Sequence, residues 1–526
     1  MNWLFEIVVI VATVTILPTN GEFYSSVYKM SQVMDFELKM LKNMQKFIGK
    51  NQNKLDYLKE RLAEYEREHN EAMETGTSYF ENPVNKYLLT KRLTTDWDRL
   101  ENILQYKEGH KTLKKIKNTM VNETELDGAL EGVLRLQDIY RLNTSDIASG
   151  LFQGVQHDVH FKARHCFDMG KRAMETEYTK LGYFWLKEAL KRSTDDESVD
   201  KLDIELAIAD VKFRLGDIQG ANETYAELSS RYPESEKVAK LFAEFGEKSV
   251  DKQQFAVDYS MEHLPPPADI FSASHADLFK LTCAGLIKKT PAEERELQCG
   301  YLVETHPFLW LAPIKVEELH HDPLMVIFHD VLSDNEIETL KEMNQQIQRA
   351  TVMSKNGSVV SNVRTSQFQF IPATKHPLLA KIDQRVEDMT NLNMRYAEDH
   401  QFANYGIGGH YSEHFDYFNI KGVDLSNIVN FDTMGNRIAT VLFYLSDVEQ
   451  GGGTAYPFMK QLVMPKKGAA AFWYNLHASG EPDWRSLHGA CPIIVGSKWV
   501  QNRWIREHDQ SDRRPCYLFN DAIEEL

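Results

Sequence analysis

The sequence predicts a multidomain α+β protein with an all-α N-terminal half and a strand-rich C-terminal domain. Apolar residues recur with helical periods as far as about residue 250, and Leu264-Pro265-Pro266-Pro267 then interrupts the pattern. From about residue 325 the apolar residues gather in short runs rich in β-branched and aromatic side chains, which are typical of strands. A chain of 526 residues also exceeds what one hydrophobic core usually serves, so several domains are expected.

The N-terminal residues predict entry into the secretory pathway. Residues 1–21 read as a signal peptide, because Trp3 to Leu17 is almost entirely apolar and a polar stretch ends near Gly21. A signal anchor is the alternative, but the segment is short for a membrane helix, and we expect no stable membrane span elsewhere. Four Asn-x-Ser/Thr sequons agree with a location in the lumen of the endoplasmic reticulum: Asn122, Asn143, Asn222 and Asn356.

Charge and cysteine content limit the partners and the compartment. The net charge of −17 argues against nucleic-acid binding, which needs a basic surface to displace counterions. In an oxidising lumen, two cysteine spacings could close as disulfides, Cys283 with Cys299 and Cys491 with Cys516, which would leave Cys166 unpaired. Five buried thiols are the alternative.

Residues 22–150 predict a helical, coiled-coil dimerisation domain. Between residues 34 and 65 apolar side chains recur on a heptad, which is typical of a coiled-coil seam. The seam consists of Met34, Leu41, Ile48, Leu55 and Leu62 at one position and Met44, Leu58 and Tyr65 at the second, with Asn51 as its polar member. A long amphipathic helix that packs within its own domain is the alternative.

Residues 151–250 predict a tetratricopeptide-like unit that binds a peptide substrate. The clearer copy of the repeat has Gly216-Asp217 at the turn and Ala221, Tyr225, Leu228 and Pro233 after it. A weaker copy has Gly170, Gly182, Leu186 and Ala189 at similar offsets, and a plain helical spacer is the alternative. A linker with the proline-rich segment follows at residues 251–324, and residues 325–526 form the predicted catalytic domain.

His414-Phe415-Asp416 predicts part of a metal site. Residues two apart on a strand point to the same face, so His414 and Asp416 can bind one ion. Two imidazoles and one carboxylate are the ligand set of non-haem Fe(II) oxygenases. The third ligand has to come from downstream, and among His477, His488 and His508 only His488 has a cation ten residues later.

That cation, Lys498, is predicted to pair with the distal carboxylate of 2-oxoglutarate. An unpaired carboxylate buried among apolar strands would be strongly unfavourable, and an ammonium on a neighbouring strand removes the cost. Tyr444 or Thr440 could add a hydrogen bond to the same co-substrate. A solvated strand lysine is the alternative for Lys498.

The chain resembles the collagen prolyl 4-hydroxylase α subunit, an Fe(II)- and 2-oxoglutarate-dependent dioxygenase family. The motifs that carry the resemblance are Asn404-Tyr405-Gly406-x-Gly408-Gly409-x-Tyr411-x-x-His414-Phe415-Asp416, Asn436-Arg437-Ile438-Ala439-Thr440, Pro465-Lys466-Lys467-Gly468 and Cys491-Pro492-x-x-x-Gly496-x-Lys498-Trp499-Val500. The order of coiled coil, helical repeat and linker is similar too, so the resemblance spans nearly the whole chain after the signal peptide.

The resemblance implies a function. His414, Asp416 and His488 would bind Fe(2+), and Lys498 would hold 2-oxoglutarate with Tyr405, Tyr444 and Trp504 around it. The reaction would be 4-hydroxylation of prolyl residues in a collagen-like polypeptide, coupled to decarboxylation of 2-oxoglutarate to succinate. The fold would be a double-stranded β-helix, a jelly-roll. L-ascorbate would restore oxidised iron, and protein disulfide isomerase would be the β subunit of an α2β2 heterotetramer and would retain the chain in the endoplasmic reticulum.

The helical repeat departs from the family pattern. The family's peptide groove is rich in tyrosines, whereas this chain has Met174, Ala207 and Asp210 at the corresponding positions. Aromatic side chains suit the proline rings of a polyproline II peptide, so the departure favours a narrower or different substrate. A hydroxylase of another peptide residue and a non-catalytic peptide-binding or assembly subunit are the alternative functions.

Overall fold

The computed structural model describes the chain in segments: residues 34, 37–42, 44–45, 55–104, 123–194, 196, 198–250, 252–263, 265–267, 272–344, 348–349, 352–354, 357–359, 365–419 and 431–518. The predicted signal peptide and the seam residues Ile48 and Asn51 lie outside the described residues. Within those segments, no helix combines the length and the apolar character needed to cross a membrane.

The first half of the described chain is helical. Its elements are α1 (Leu55–Thr75), α2 (Pro83–Lys91), α3 (Trp97–Leu104), α4 (Glu123–Tyr140), α5 (Thr144–Ala148), β1 (Leu151–Phe152), β2 (Val155–Gln156), α6 (Ala163–Ala173), α7 (Thr179–Arg192), α8 (Lys201–Arg214), α9 (Ile218–Arg231) and α10 (Glu236–Ser249). Polar side chains cap several N-termini by accepting a backbone N–H, namely Asn82 at α2, Asp200 at α8, Asp217 at α9 and Ser235 at α10. These local signals explain where the helices begin.

The predicted coiled-coil seam packs inside its own domain. Five of its residues are buried in one hydrophobic cluster of this chain, namely Met34, Leu41, Met44, Leu58 and Tyr65. Glu37 lies 3.0 Å from His69, 32 residues along the chain, although a straight helix would separate them by about 48 Å. The chain therefore reverses direction between them. The alternative of an amphipathic helix within its own domain accounts for these contacts, and dimerisation through the seam stays a prediction.

Two helix pairs occupy the region of the predicted repeats. In the pair α6–α7, a Cβ placed on Gly170 would lie 2.7 Å from the Leu186 side chain and 3.3 Å from the Gly182 carbonyl oxygen. Such close packing across a short loop makes the two helices antiparallel, as the repeat pattern predicts. The pair α8–α9 follows, and α10 packs against it through Val238 and Phe245.

The second half of the described chain is built mainly of antiparallel strands. Its helices are α11 (His275–Cys283), α12 (Pro291–Arg295), α13 (Asp334–Glu342), α14 (Pro377–Thr390) and α15 (Phe431–Met434). Its strands are β3 (Cys299–Leu302), β4 (Ile314–His320), β5 (Met325–His329), β6 (Gln348–Arg349), β7 (Val352–Ser354), β8 (Gly357–Val359), β9 (Gln367–Ile371), β10 (His400–Tyr405), β11 (Tyr411–His414), β12 (Arg437–Tyr444), β13 (Gln450–Gly451), β14 (Thr454–Tyr456), β15 (Gln461–Val463), β16 (Ala470–Tyr474), β17 (His488–Ala490), β18 (Ile493–Val495) and β19 (Lys498–Arg506).

Two of these sheets enclose the candidate site. The larger has nine strands in the order β3-β4-β5-β16-β12-β19-β10-β9-β6, and the smaller has four in the order β11-β17-β14-β15. Side chains of both sheets share one core, for example Leu442 and Trp473 of the larger with Tyr456 and Ala490 of the smaller. Two packed antiparallel sheets agree with the predicted jelly-roll class of fold.

Successive side chains of β12 point to opposite faces of the large sheet, one covered by helices and the other facing the small sheet and the candidate site. Val441 and Phe443 point to the outer face of the large sheet, where α13 and α14 cover them with Ile337 and Leu379. Leu442 belongs instead to the core between the two sheets. Strand β12 therefore has one face that packs on helices and one that faces the small sheet.

The predicted linker requires correction at its C-terminal end. Strands β3 and β4 lie within residues 251–324, yet they pair with each other and β4 pairs with β5, so they extend the large sheet. Lys315, Glu317 and Glu318 interrupt the apolar residues of β4, so its sequence lacks the short apolar run by which the other strands were recognised. The sheet domain therefore begins before residue 325.

The disulfide pairing expected from sequence is also wrong. Cys283 at the end of α11 is bonded to Cys491, which directly follows β17. Cys299 and Cys516 are exposed free thiols, and Cys166 is a buried thiol as expected. Helix α11 packs on the small sheet, with Phe279 against Gly489, so the fold brings together cysteines that are 208 residues apart. Short sequence spacing carried no information about this contact.

Candidate metal centre

Three predicted ligands converge between the two sheets. Strands β11 and β17 are antiparallel neighbours in which His414 lies opposite His488, and Asp416 follows β11 by two residues. Nε2 of His414 lies 3.7 Å from one carboxylate oxygen of Asp416, and Nε2 of His488 lies 3.6 Å from the other. One ligand atom from each residue falls within 4.8 Å of the other two, a spacing that suits a single ion. Two imidazoles and a carboxylate fit Fe(II).

The two other histidines considered from sequence lie elsewhere. Nε2 of His477 is 3.7 Å from a carboxylate oxygen of Asp483, and the His508 ring packs edge-on against Tyr396. Neither belongs to the group that could hold a metal ion. The choice of His488 from sequence is therefore supported by the geometry.

The protein fixes the orientation of both imidazoles. Nδ1 of His414 donates to the Ser412 carbonyl oxygen at 2.8 Å, and Nδ1 of His488 donates to the Ser486 carbonyl oxygen at 2.9 Å. With the proton held on Nδ1, the lone pair of each Nε2 is directed toward the ligand group. Tyr411 stacks on the His414 ring at 3.6 Å, which further restricts its rotation.

Asp416 is held as a carboxylate. Burial raises its pKa, but His488, His414 and Arg437 lower it by more, so the pKa of Asp416 lies below its ordinary value. Thr440 donates to Oδ2 of Asp416 at 2.8 Å, and the Asn475 amide in turn donates to the Thr440 hydroxyl at 2.9 Å. An ionised, oriented carboxylate is the form that a divalent cation binds.

Trp504 and Arg437 form the wall next to Asp416. The Arg437 guanidinium lies 3.8 Å from the centroid of the Trp504 ring and donates two hydrogen bonds to Glu398, at 2.6 and 2.7 Å. Arg437 also donates to the backbone oxygen of Asp416 at 3.2 Å. Trp504 lines the cavity, as predicted, and the paired guanidinium keeps it in place.

Lys498 lies at the other end of the cavity. The residue is 1% exposed, and its ammonium group donates to the Thr454 hydroxyl at 3.2 Å and forms no ion pair within the described segments. Burial alone lowers the pKa of Lys498 to about 7. The rings of Tyr405 and Tyr444 lie 5.9 and 5.6 Å from the nitrogen. A buried ammonium without a counter-charge is unfavourable, so the site fits a ligand that brings a carboxylate.

One cavity joins the metal ligands to this lysine. Its lining includes the three metal ligands, Lys498 and Thr454, with Gln401 and Asn502 on the neighbouring strands. The Asn502 amide donates to the Gln401 side chain at 3.0 Å. A ligand that chelates the metal at one end and carries a carboxylate at the other fits this arrangement. 2-Oxoglutarate is such a molecule.

The chain matches two protein families. The N-terminal region of the prolyl 4-hydroxylase alpha-subunit matches residues 26–154, and the 2OG-Fe(II) oxygenase superfamily matches residues 400–506. Prolyl 4-hydroxylase subunit alpha-1 of Homo sapiens is 32% identical over 517 residues, which cover 94% of this chain and 96% of that protein. Prolyl 4-hydroxylase subunit alpha-2 of Caenorhabditis elegans is 32% identical over 527 residues, covering 96% and 95%. This chain belongs to the prolyl 4-hydroxylase alpha-subunit family.

A solved structure is similar to part of the chain. It is viral collagen prolyl hydroxylase vCPH from Paramecium Bursaria Chlorella virus-1 in its 2OG complex, which matches 35% of this chain and 95% of its own, at 25% identity and a TM-score of 0.28. The family assignment depends on the full-length alpha subunits. All four residues predicted to bind iron and 2-oxoglutarate lie inside the matched oxygenase region.

In this family member, one residue has a role that differs from the sequence prediction, and a second functional residue was not predicted. Thr440 does not line the cavity and instead supports Asp416, so its assignment to the co-substrate requires correction. Thr454, which the sequence analysis missed, bridges Lys498 and the Tyr444 hydroxyl, with 2.9 Å between the two hydroxyl oxygens. Its signal is its position directly after Gly451-Gly452-Gly453, where a tight turn begins a buried strand.

Proposed function

We propose that this chain is a procollagen-type prolyl 4-hydroxylase that uses Fe(II) and 2-oxoglutarate. The observation that carries the proposal is the pairing, within one cavity, of a His-Asp-His group with a buried ammonium that has no anionic partner among the described residues. His414, Asp416 and His488 would hold the iron, and Lys498 with Thr454 would hold the C5 carboxylate. Iron, 2-oxoglutarate and dioxygen together would supply the oxidation: one oxygen atom would enter the prolyl C–H bond, the other would enter succinate, and carbon dioxide would be released.

The charges of the site support this assignment. Fe(II) and the 2-oxoglutarate dianion balance each other, and so do the carboxylate of Asp416 and the ammonium of Lys498. The fully loaded cavity is therefore neutral, which reduces the cost of burying every charge in it. Methionine or leucine at position 498 would leave one buried negative charge without compensation, so Lys498 is needed to neutralise the loaded cavity.

The surrounding side chains would exclude water from the oxidising centre. His488 is enclosed by Trp473 and Tyr456, whose ring centroids lie 4.8 and 5.5 Å from the imidazole. Both aromatic residues are almost fully buried. Enclosure of this kind directs the reaction to a bound peptide and limits side reactions with solvent.

A turnover experiment tests the proposed function. The purified chain is incubated with Fe(II), 2-oxoglutarate, ascorbate and a (Pro-Pro-Gly)-repeat peptide, and both succinate and 4-hydroxyproline are quantified. Equal molar amounts of the two products, and none with His488→Ala, are expected. Succinate without hydroxyproline on any proline-containing peptide would contradict the substrate class, and absence of both products with metal bound would favour a non-catalytic peptide-binding or assembly subunit.

A second candidate function is hydroxylation of a different peptide, and the helical repeat favours it. Met174 and Ala207 are buried, and the Asp210 carboxylate accepts a hydrogen bond from Arg214 at 3.1 Å. Arg214 also donates to the Met174 carbonyl oxygen at 3.2 Å, so an ion pair lies where the family resemblance places aromatic side chains. Acidic or mixed proline-containing peptides that are turned over faster than the uncharged repeat would support this narrower specificity.

The assembly and the compartment are further parts of the proposal. We infer residence in the lumen of the endoplasmic reticulum, where the Cys283–Cys491 disulfide can form and persist. Protein disulfide isomerase would be the partner in an α2β2 heterotetramer and would retain the chain in that lumen. Ascorbate would restore oxidised iron. Co-expression with the isomerase and sedimentation of the product test this, since a chain that stays monomeric with the isomerase present would oppose the tetramer.

A further inference from the structure

Helix α4 of the helical half is hydrogen-bonded to the rim of the sheet domain. The Tyr140 hydroxyl donates to the Pro492 carbonyl oxygen at 2.6 Å and accepts the backbone N–H of Gly452 at 3.2 Å. The same N–H also donates to the Pro492 oxygen at 3.0 Å. The Tyr140 hydroxyl, the Gly452 amide and the Pro492 carbonyl are therefore all hydrogen-bonded to one another. Earlier on α4, Arg135 donates to the Gly408 carbonyl oxygen at 2.9 Å.

The contact is tightly packed as well as hydrogen-bonded. A Cβ placed on Gly451 would lie 2.8 Å from the Tyr140 hydroxyl, and one placed on Gly408 would lie 3.0 Å from the Cα of Gly132 in α4. Both glycines have positive φ angles, 74° and 69°. Only glycine fits these positions without moving the helix or the rim.

The segments that Tyr140 joins lead directly to the candidate site. Thr454 comes two residues after Gly452, and Pro492 comes four residues after His488. The two segments continue into the neighbouring strands β14 and β17, which pair through Thr454 and Ala490. The position of the Tyr140 hydroxyl therefore influences where Thr454 on β14 lies relative to the metal ligand His488 on β17.

We propose that Tyr140 is a positioning residue for 2-oxoglutarate: its hydroxyl holds the rim at Gly452 and Pro492 so that Thr454 and Lys498 are placed to receive the C5 carboxylate. The inference rests on the proposed function, since it assigns a role toward the same co-substrate. Tyr140 touches neither metal nor substrate and acts through the rim. Burial raises the pKa of Tyr140, which keeps the proton on the hydroxyl that Pro492 accepts.

The test compares Tyr140→Phe with a matched control, Tyr87→Phe. Tyr87 is a buried tyrosine of the same helical half whose hydroxyl has no hydrogen-bond partner in the described part of the chain. Binding of 2-oxoglutarate to the Mn(II)-loaded full chain is measured by calorimetry, because Mn(II) binds the same ligand types and supports binding without turnover. Tyr140→Phe removes both hydrogen bonds of the hydroxyl, while the Gly452 amide keeps its bond to the Pro492 oxygen. A net loss of about one buried hydrogen bond predicts about 3- to 10-fold weaker binding for Tyr140→Phe, and wild-type binding is expected for Tyr87→Phe.

A second readout separates positioning from general loss of stability. Hydrogen exchange at the Gly452 amide is expected to be faster in Tyr140→Phe than in either the wild type or Tyr87→Phe, while Mn(II) affinity and melting temperature stay close to the control. Equal 2-oxoglutarate affinity in the two variants would overturn the inference. A wild-type chain that binds Mn(II) but not 2-oxoglutarate would instead refute the proposed function, so the two failures are distinguishable.

Discussion

Replacement of Lys498 by methionine isolates the charge that the proposed co-substrate needs. Methionine has a similar length and keeps the cavity filled, but it removes the ammonium and the hydrogen bond to Thr454. In a buried ion pair, removal of one partner costs about 3–5 kcal/mol, because the other charge stays buried without compensation. That cost corresponds to roughly 150- to 5,000-fold weaker binding of 2-oxoglutarate. Thr454 still offers a hydroxyl to the carboxylate, so the lower part of this range is expected.

The matched control is Lys86→Met. Lys86 in α2 is also buried, its ammonium has no hydrogen-bond partner among the described residues, and burial alone lowers its pKa to about 7. It lies outside the cavity that holds the metal ligands. The two variants therefore make the same chemical change in equally buried environments, and only one of them removes the predicted counter-charge.

The assay is calorimetric titration of 2-oxoglutarate into the Mn(II)-loaded chain, supported by the 2-oxoglutarate dependence of succinate release. Lys498→Met should raise the dissociation constant at least a hundredfold with Mn(II) affinity unchanged, whereas Lys86→Met should bind like the wild type. Equal weakening in both variants would mean that a general structural defect is measured. An unchanged dissociation constant in Lys498→Met would refute the role assigned to the lysine.

Three further predictions concern the same site. Only the charged form of Lys498 can balance the carboxylate, and the pKa of Lys498 without bound ligand is about 7. The affinity for 2-oxoglutarate should therefore fall by about tenfold per pH unit as the pH rises above 7, which calorimetric titrations at pH 6.5 to 9 would measure. Thr440→Val removes the hydrogen bond to Asp416 and should weaken Mn(II) binding by about 10- to 100-fold. Peptide mapping without reduction should recover Cys283 linked to Cys491.

Each of these predictions has an opposite outcome. A 2-oxoglutarate affinity that is constant across that pH range would show that Lys498 stays fully charged or has no contact with the ligand. Thr282→Val, a buried threonine bonded within α11, serves as the control for Thr440→Val, and equal Mn(II) affinity in the two variants would remove Thr440 from the site. Recovery of Cys283–Cys299 or Cys491–Cys516 peptides would contradict the pairing in the structure.

The metal ligands and the counter-charge could be predicted from sequence because their signals are local. Alternation on a strand places His414 and Asp416 on one face, and Lys498 follows His488 by ten residues, with β18 between their strands β17 and β19. Histidine and aspartate bind metals and lysine carries a positive charge. Such residues are unusual in apolar strands, so their presence there indicates a site. All four of these residues line one cavity, which is the arrangement that this reasoning predicts.

The supporting residues could not be predicted, because threonine is common in strands and its partner depends on packing between sheets. Thr440 and Thr454 both lie in strands, yet one hydroxyl reaches Asp416 and the other reaches Lys498. Only the register of β12 against β16, and of β14 against β17, decides between these outcomes. A sequence contains no direct record of such registers.

Long-range contacts also account for the other features that the sequence could not predict. A heptad pattern describes an apolar stripe but not what covers it, so the seam near Leu58 could equally pack on its own domain. The Cys283–Cys491 bond depends on how α11 docks on the small sheet, and the contact of Tyr140 with Pro492 spans 352 residues. None of these partners is close in sequence.

A structure of the chain with Mn(II) and 2-oxoglutarate bound gives the most direct test of the site. The metal should be coordinated by Nε2 of His414, the Asp416 carboxylate and Nε2 of His488, with the far carboxylate of 2-oxoglutarate on the Lys498 ammonium and the Thr454 hydroxyl. Metal bound at other residues, or a co-substrate whose far carboxylate points away from Lys498, would contradict the account.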